Sequence, residues 1–204
     1  MHFIKVCGVS MCPSKIVCVG RNYVAHIREL GNDMPDRMVV FSKPNSAISG
    51  TLRSRIDAEA LHYEGELAFT VKKGKLAAVG FGLDLTKRAL QTVLKEKGLP
   101  WERAKAFDGA ALFSEFVALP EDIARLSLRL TVDGELRQSG GVKLMMYKPE
   151  AILAELATFT TLEDGDIILT GTPAGVGEVQ SNQTFEGQVL LGEEVLVSAR
   201  WQAQ

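Results

Sequence analysis

The chain is poor in cysteine. Cys7, Cys12 and Cys18 are its only three among 204 residues. An odd, low count does not build a disulfide scaffold, and it fits reduced thiols in a cytoplasmic protein. The cysteine spacing matches no zinc pattern, with His2 the only histidine close by. Long apolar runs are missing as well. No stretch approaches the roughly 18 residues of a membrane span. The first residues carry Lys5 inside their apolar part and lack the long apolar region of a signal peptide. Neither charge sign dominates, since 23 Lys and Arg stand against 25 Asp and Glu for a formal net charge of −2. Binding to a phosphate backbone draws on a basic surplus, so nucleic acid is not an expected partner. No repeat, low-complexity tract or Gly/Ser-rich linker divides the chain, and residues 1–204 are read as one domain.

What is present is an ordinary globular composition, 46% hydrophobic and 24% charged, on a chain long enough to bury a core. Strand patterns are expected over residues 15–19, 38–42, 61–71, 79–83, 126–132, 135–138, 166–170 and 194–199. Asp133-Gly134 reads as a tight hairpin turn between two of these. Three helices are expected. One runs from an Asn22 cap to Leu30 and ends at Gly31. A second runs from Thr86 to Lys97, with Gly98 and Pro100 as stop signals. A third covers 149–158, with Pro149 in its first turn. Many strands and few helices predict an α+β, mainly β fold.

Five segments hold residues with chemical potential. In Leu61-His62-Tyr63-Glu64-Gly65-Glu66-Leu67, strand alternation puts His62, Glu64 and Glu66 on one face. Two carboxylates about 7 Å apart repel unless a positive group lies between them, and a hard divalent cation such as Mg²⁺ would serve. The solvated face of an edge strand gives the same pattern. Asp84 lies where a strand runs into a helix, with Arg88 one turn on and Gln91 on a neighbouring part of that face. Asp84 is either a third metal carboxylate or a helix cap. His26 and Glu29 stand three apart on a helix face. A carboxylate fixing an imidazole tautomer makes a general base for water, although a surface pair has the same spacing. Gly31 and Gly50 leave room for this segment to move as a lid. Lys105 lies among apolar neighbours, where a single cation could meet a substrate anion or remain a surface lysine. The 166–177 segment ends a strand in a Gly-rich turn that lets backbone N–H groups and the Thr172 hydroxyl approach a ligand, or simply turns the chain.

Taken together, KIVCVGRNYVAHIREL, FSKP, HYEGELAF, GLDLTKRALQ, KGLPWERAKAFDGA and TLEDGDIILTGTPAGVG resemble, in this order, the fumarylacetoacetate hydrolase family. The likeness is strongest to its short acylpyruvase and oxaloacetate decarboxylase-like branch, and it covers residues 15–177. The resemblance implies a mixed β-sandwich roll with a few short helices, usually a homodimer. It implies a metal site of Glu64, Glu66 and Asp84 holding Mg²⁺, with Mn²⁺ or Ca²⁺ as alternatives. It implies a His26–Glu29 dyad, Lys105 as a substrate and transition-state contact, and Arg88, Gln91, Gly171 and Thr172 as substrate-holding groups. The expected substrate is a small α-keto or dicarboxylic acid. The expected reaction is Mg²⁺-dependent hydrolysis of a C–C bond in acylpyruvates such as acetylpyruvate or fumarylpyruvate, with oxaloacetate decarboxylation as a further activity. Alternatives are an isomerase or decarboxylase of a hydroxylated dienedioate, an oxaloacetate tautomerase, and a non-catalytic metal-binding module.

Overall fold

A computed structural model describes residues 1–204. Its two main sheets use β1 (Lys15–Gly20), β2 (Val39–Pro44), β3 (Gly65–Lys72), β4 (Lys75–Asp84), β5 (Ala111–Phe113), β6 (Val117–Ala118), β7 (Leu126–Val132), β8 (Glu135–Gly141), β9 (Ile167–Leu169), β10 (Thr184–Leu191) and β11 (Glu194–Gln202). The helices are α1 (Val24–Glu29), α2 (Arg88–Glu96), α3 (Glu102–Lys105) and α4 (Pro149–Leu156). The mainly β expectation holds. No helix is long and apolar enough to cross a membrane.

The larger sheet runs β5-β4-β3-β9-β1-β2, with β6 also beside β4. Only β9 and β1 pair in parallel, and the other neighbours are antiparallel. The smaller sheet, β8-β7-β10-β11, is antiparallel throughout. Strand β7 alternates, burying Leu126, Leu128, Leu130 and Val132 and turning Ser127, Arg129 and Thr131 outward. Those leucines pack on Leu67, Phe69, Phe81 and Leu83 of the larger sheet in one core. The far face of the larger sheet is covered too, where Val17, Val19 and Ile168 meet Ile152 and Leu156 of α4. With both faces of the sheet covered, β3 is buried at every position but Lys72 and does not alternate.

Local chemistry moved several boundaries. The expected strand over 61–71 is broken at Glu64. His62–Tyr63 pairs with Gly177–Glu178, while β3 begins at Gly65 and pairs with β4 and β9. Asn22 does not cap α1. Tyr23 is the cap residue, and the Asn22 amide bonds Tyr147 O, Thr170 O and Tyr147 N, tying the turn before α1 to two distant loops. Thr86 does not open α2, which starts at Arg88. The 133–134 turn is as expected. Val132 faces Glu135, and both turn residues have left-handed φ, 53° and 82°.

Gly187 of β10 lies against the Phe81 ring of the larger sheet, and any Cβ at 187 would overlap that ring. Phe81 is fully buried and has nowhere to go. Gly187→Ala should therefore cost about 2–3 kcal/mol through overpacking, read as a lower midpoint in urea unfolding with little change in slope.

Candidate active site

The sheet brings the acidic residues together by register. Asp84 ends β4 and donates its backbone N–H to Glu64 O at 2.9 Å, so these two residues face each other across the strands. Glu66 lies two residues along β3. All three side chains are buried, and a carboxylate oxygen from each lies within 4.8 Å of the others. His62, which alternation put on the same face, is half-buried, and burial pushes its imidazole pKa down with help from Arg88.

Three cations lie against two of the three carboxylates, Glu64 and Asp84. Lys105 Nζ lies 2.8 Å from both Glu64 Oε2 and Asp84 Oδ2, and it donates to Thr86 Oγ1 at 2.6 Å. Its three N–H bonds are thereby spent, so a substrate contact by Lys105 requires one of these to be released. The missing cap role of Thr86 is explained by the same bond. Lys43 Nζ, fully buried, lies 2.8 Å from Asp84 Oδ1 and also donates to Lys105 O. The Arg88 guanidinium pairs with Glu64 Oε1 and donates to Gln91 Oε1 at 2.7 Å. Burial opposes charge on Glu64, but Lys105 and Arg88 outweigh it and hold its pKa well below the usual carboxylate range. Burial likewise opposes charge on Lys105, and Asp84 and Glu64 outweigh it and raise the ammonium pKa.

Glu66 differs from its two neighbours. It has no cationic partner and accepts only the Gly171 N–H, at 2.7 Å. Burial first, then Asp84 and Glu64, pushes its pKa well above the usual range. A buried, all-oxygen donor set with one uncompensated carboxylate fits a hard divalent cation, with Lys105 Nζ already bridging two of the three carboxylates as a cation would.

Of the other expected residues, His26, Arg88, Gln91, Lys105 and Thr172 line a narrow cavity of about 40 Å³ together with the three carboxylates, while Glu29 and Gly171 lie outside its lining. His26 Nδ1 lies 3.1 Å from Glu29 Oε2, and Glu29 Oε1 accepts the Gly175 N–H at 2.9 Å. The dyad is thus fastened to the Gly-rich turn after β9. Thr172 Oγ1 donates to Gly65 O at 2.9 Å and accepts from Gln138 Nε2 at 2.7 Å. Gln138 Oε1 in turn accepts the Gly65 N–H at 2.8 Å. The sequence reading assigned no role to Lys43 or Gln138. Lys43 in the FSKP segment is the one available signal, and nothing in the polar run around Gln138 sets that residue apart.

Residues 15–200 match the family described as Fumarylacetoacetate (FAA) hydrolase C-terminal. The chain belongs to the fumarylacetoacetate hydrolase family. Relatives within it agree over nearly their whole length. The oxaloacetate tautomerase YcgM of Escherichia coli is 39% identical over 199 residues, covering 87% of this chain and 90% of that protein. A solved protein from Oleispira antarctica, described as a candidate fumarylacetoacetate isomerase/hydrolase, superposes with a TM-score of 0.94 at 35% identity over 100% of both chains. The fumarylpyruvate hydrolase of Pseudomonas aeruginosa, solved with Mn²⁺ and pyruvate, gives a TM-score of 0.86 at 30% identity over 100% of this chain and 96% of that one. The fold expected of this family is the fold observed.

Proposed function

We propose that the chain is a divalent-metal-dependent enzyme that moves a proton at the carbon beside the carbonyl of a small α-keto acid, with keto–enol tautomerisation of oxaloacetate as its reaction. The charge balance of the inner site carries this reading. Glu64, Glu66 and Asp84 contribute −3, and Lys43, Lys105 and Arg88 contribute +3. A divalent ion held by the three carboxylates leaves +2. That matches one substrate carboxylate plus the negative charge that develops on the carbonyl oxygen during proton removal. Lys43, which the sequence does not mark as a site residue, supplies one of these three positive charges. The bound ion would supply Lewis-acid polarisation of that oxygen.

The protein's own groups would do the rest. With Nδ1 bonded to Glu29, a neutral His26 leaves Nε2 as the acceptor. Nε2 would take the C–H proton as the C=C bond forms, and a proton would be returned to the oxygen. The product is an isomer and no water is consumed. The relatives named oxaloacetate tautomerase support this choice over the hydrolysis that the sequence reading placed first. Hydrolysis of acylpyruvates is the second reading, supported by the likeness to fumarylpyruvate hydrolase and by the same His26–Glu29 pair, which would deprotonate a water. We further read residues 1–204 as one catalytic domain, homodimeric and cytoplasmic, which the three free thiols fit.

The test follows the ultraviolet absorbance of oxaloacetate enol, and separately the loss of acetylpyruvate, with Mg²⁺ or Mn²⁺ and with EDTA. Enol–keto relaxation should exceed the buffer rate and fall back to it with EDTA. His26→Ala should lower the rate by about a hundredfold or more while Mg²⁺ binding persists. A relaxation rate equal to buffer with metal present sinks the tautomerase reading, and acetylpyruvate cleavage alone would favour the second.

A further inference from the structure

Two cations in the cavity serve none of the groups above. Arg21 directly follows β1, and Lys95 lies in the last turn of α2. Both are half-buried and line the cavity shared by Glu64, Glu66, Asp84 and Arg88. Lys95 Nζ donates to Asn32 Oδ1 at 2.6 Å, and Arg21 Nη2 donates to the same oxygen at 3.4 Å. The remaining Arg21 contact is Nη1 to Asp33 O at 3.5 Å. Two positive side chains thus share one neutral amide oxygen and have no carboxylate. Two guanidinium N–H groups of cavity-lining residues, Arg21 Nε and Arg88 Nε, are buried without any acceptor. Burial first, then repulsion from Arg21 and Arg88, pushes the Lys95 pKa down. Buried donors without acceptors and like charges side by side are both costly. One anion would relieve both.

The geometry points to a second carboxylate subsite, in which Arg21 and Lys95, held by Asn32, bind the distal carboxylate of a dicarboxylic keto acid whose keto-acid end lies at the Glu64–Glu66–Asp84 cluster. This rests on the reading of that cluster as a metal site for keto acids, and it adds what selects among them. The Arg21 fork and the Lys95 ammonium are the donors a carboxylate prefers. A substrate ending in a methyl group would leave both cations unpaired in a half-buried place. Arg21 and Lys95 therefore set a preference for dicarboxylates over monocarboxylic acylpyruvates.

Matched ligands isolate this preference. Oxaloacetate and 2-oxobutyrate differ only by a terminal carboxylate in place of a methyl group. So do 2-oxoglutarate and 2-oxopentanoate, one carbon longer. Titration calorimetry with Mn²⁺ should show the carboxylate-ended ligand binding about tenfold tighter or more in at least one pair. Lys95→Met should shrink that ratio to within about threefold and leave the methyl-ended ligand nearly unchanged, and Lys95→Arg should keep the ratio. Asn32→Asp, nearly isosteric, would place an internal carboxylate between the two cations and should abolish the ratio as well. The subsite is overturned by equal affinities in both wild-type pairs, by a ratio that survives Lys95→Met and Asn32→Asp, or by losses that fall on both ligands alike. A wild-type protein that shows the ratio but turns over no keto acid would sink the proposed reaction and leave the subsite standing.

Discussion

Glu66→Gln should weaken divalent-metal binding by more than a hundredfold, abolish turnover, and leave the metal-free protein as stable as the wild type or more so. Losing a mere supporting partner of a metal ligand commonly costs about ten- to a hundredfold in affinity, so losing one of three carboxylate ligands should cost more. The stability half of the prediction follows from the surroundings of Glu66. This carboxylate is buried beside two others and accepts one N–H, from Gly171. Glutamine keeps the volume and an oxygen for that N–H, and it removes a charge that burial, Asp84 and Glu64 all oppose. The pH dependence has a definite sign. A carboxyl group whose folded pKa is raised favours the folded protein at low pH, and that contribution is lost as pH climbs from the ordinary value of 4.5 through the raised one. Metal-free wild-type protein should lose stability over that window, and Glu66→Gln should not. Metal binding must displace the same proton, so affinity should rise with pH in wild type. Calorimetric titration with Mn²⁺ and thermal unfolding, each at several pH values, read all of these. Metal affinity unchanged in Glu66→Gln would remove Glu66 from the site.

The largest loss of stability is expected far from the cavity. Asp166 is fully buried just before β9. Its Oδ1 accepts from Ser14 N, Ser14 Oγ and Lys15 N at 2.8, 2.7 and 3.1 Å. Its Oδ2 accepts from Lys15 Nζ and Glu163 N at 2.6 and 2.9 Å. One side chain thus pins the start of β1 beside the start of β9, the single parallel pair of the sheet. Asp166→Ala orphans these donors and should cost about 3–5 kcal/mol, a Tm lower by roughly 10 °C. Burial opposes the charge on Asp166, but the hydrogen bonds from Lys15 and Ser14 outweigh it and lower its pKa below the ordinary 3.8. The stabilisation is therefore complete above that value and fades as pH falls through the lowered one. Acid should narrow the gap between wild type and Asp166→Ala. A variant that melts with the wild type at pH 7 would show that the network contributes nothing net.

The candidate site was legible where chemistry requires particular residue types at short range. Glu-x-Glu on a strand, Asp84 with Arg88 and Gln91, and His26 with Glu29 are local spacings, and the cavity holds members of each. Asn22 and Thr86 were misread for the opposite reason. Each is a sound helix cap by composition, and each is claimed by a distant partner, Asn22 by Tyr147 and Thr170 and Thr86 by Lys105. Strand β10 was overlooked because Glu186, Gly187 and Gln188 interrupt its apolar pattern. Its partners β7 and β11, and the Phe81 ring over Gly187, supply what the pattern lacks.

Composition and the order of motifs by themselves determined the fold class and the family likeness, and they marked Glu64, Glu66 and Asp84 as candidates, since each motif is written in neighbouring positions. Only the tertiary structure decided the charge of the site. Lys43, Lys105 and Arg88 reach the carboxylates from β2, α3 and α2, and Arg21 and Lys95 meet over Asn32 from three separate stretches. Electrostatic energy depends on distance through space and on burial, and neither is fixed by separation along the chain.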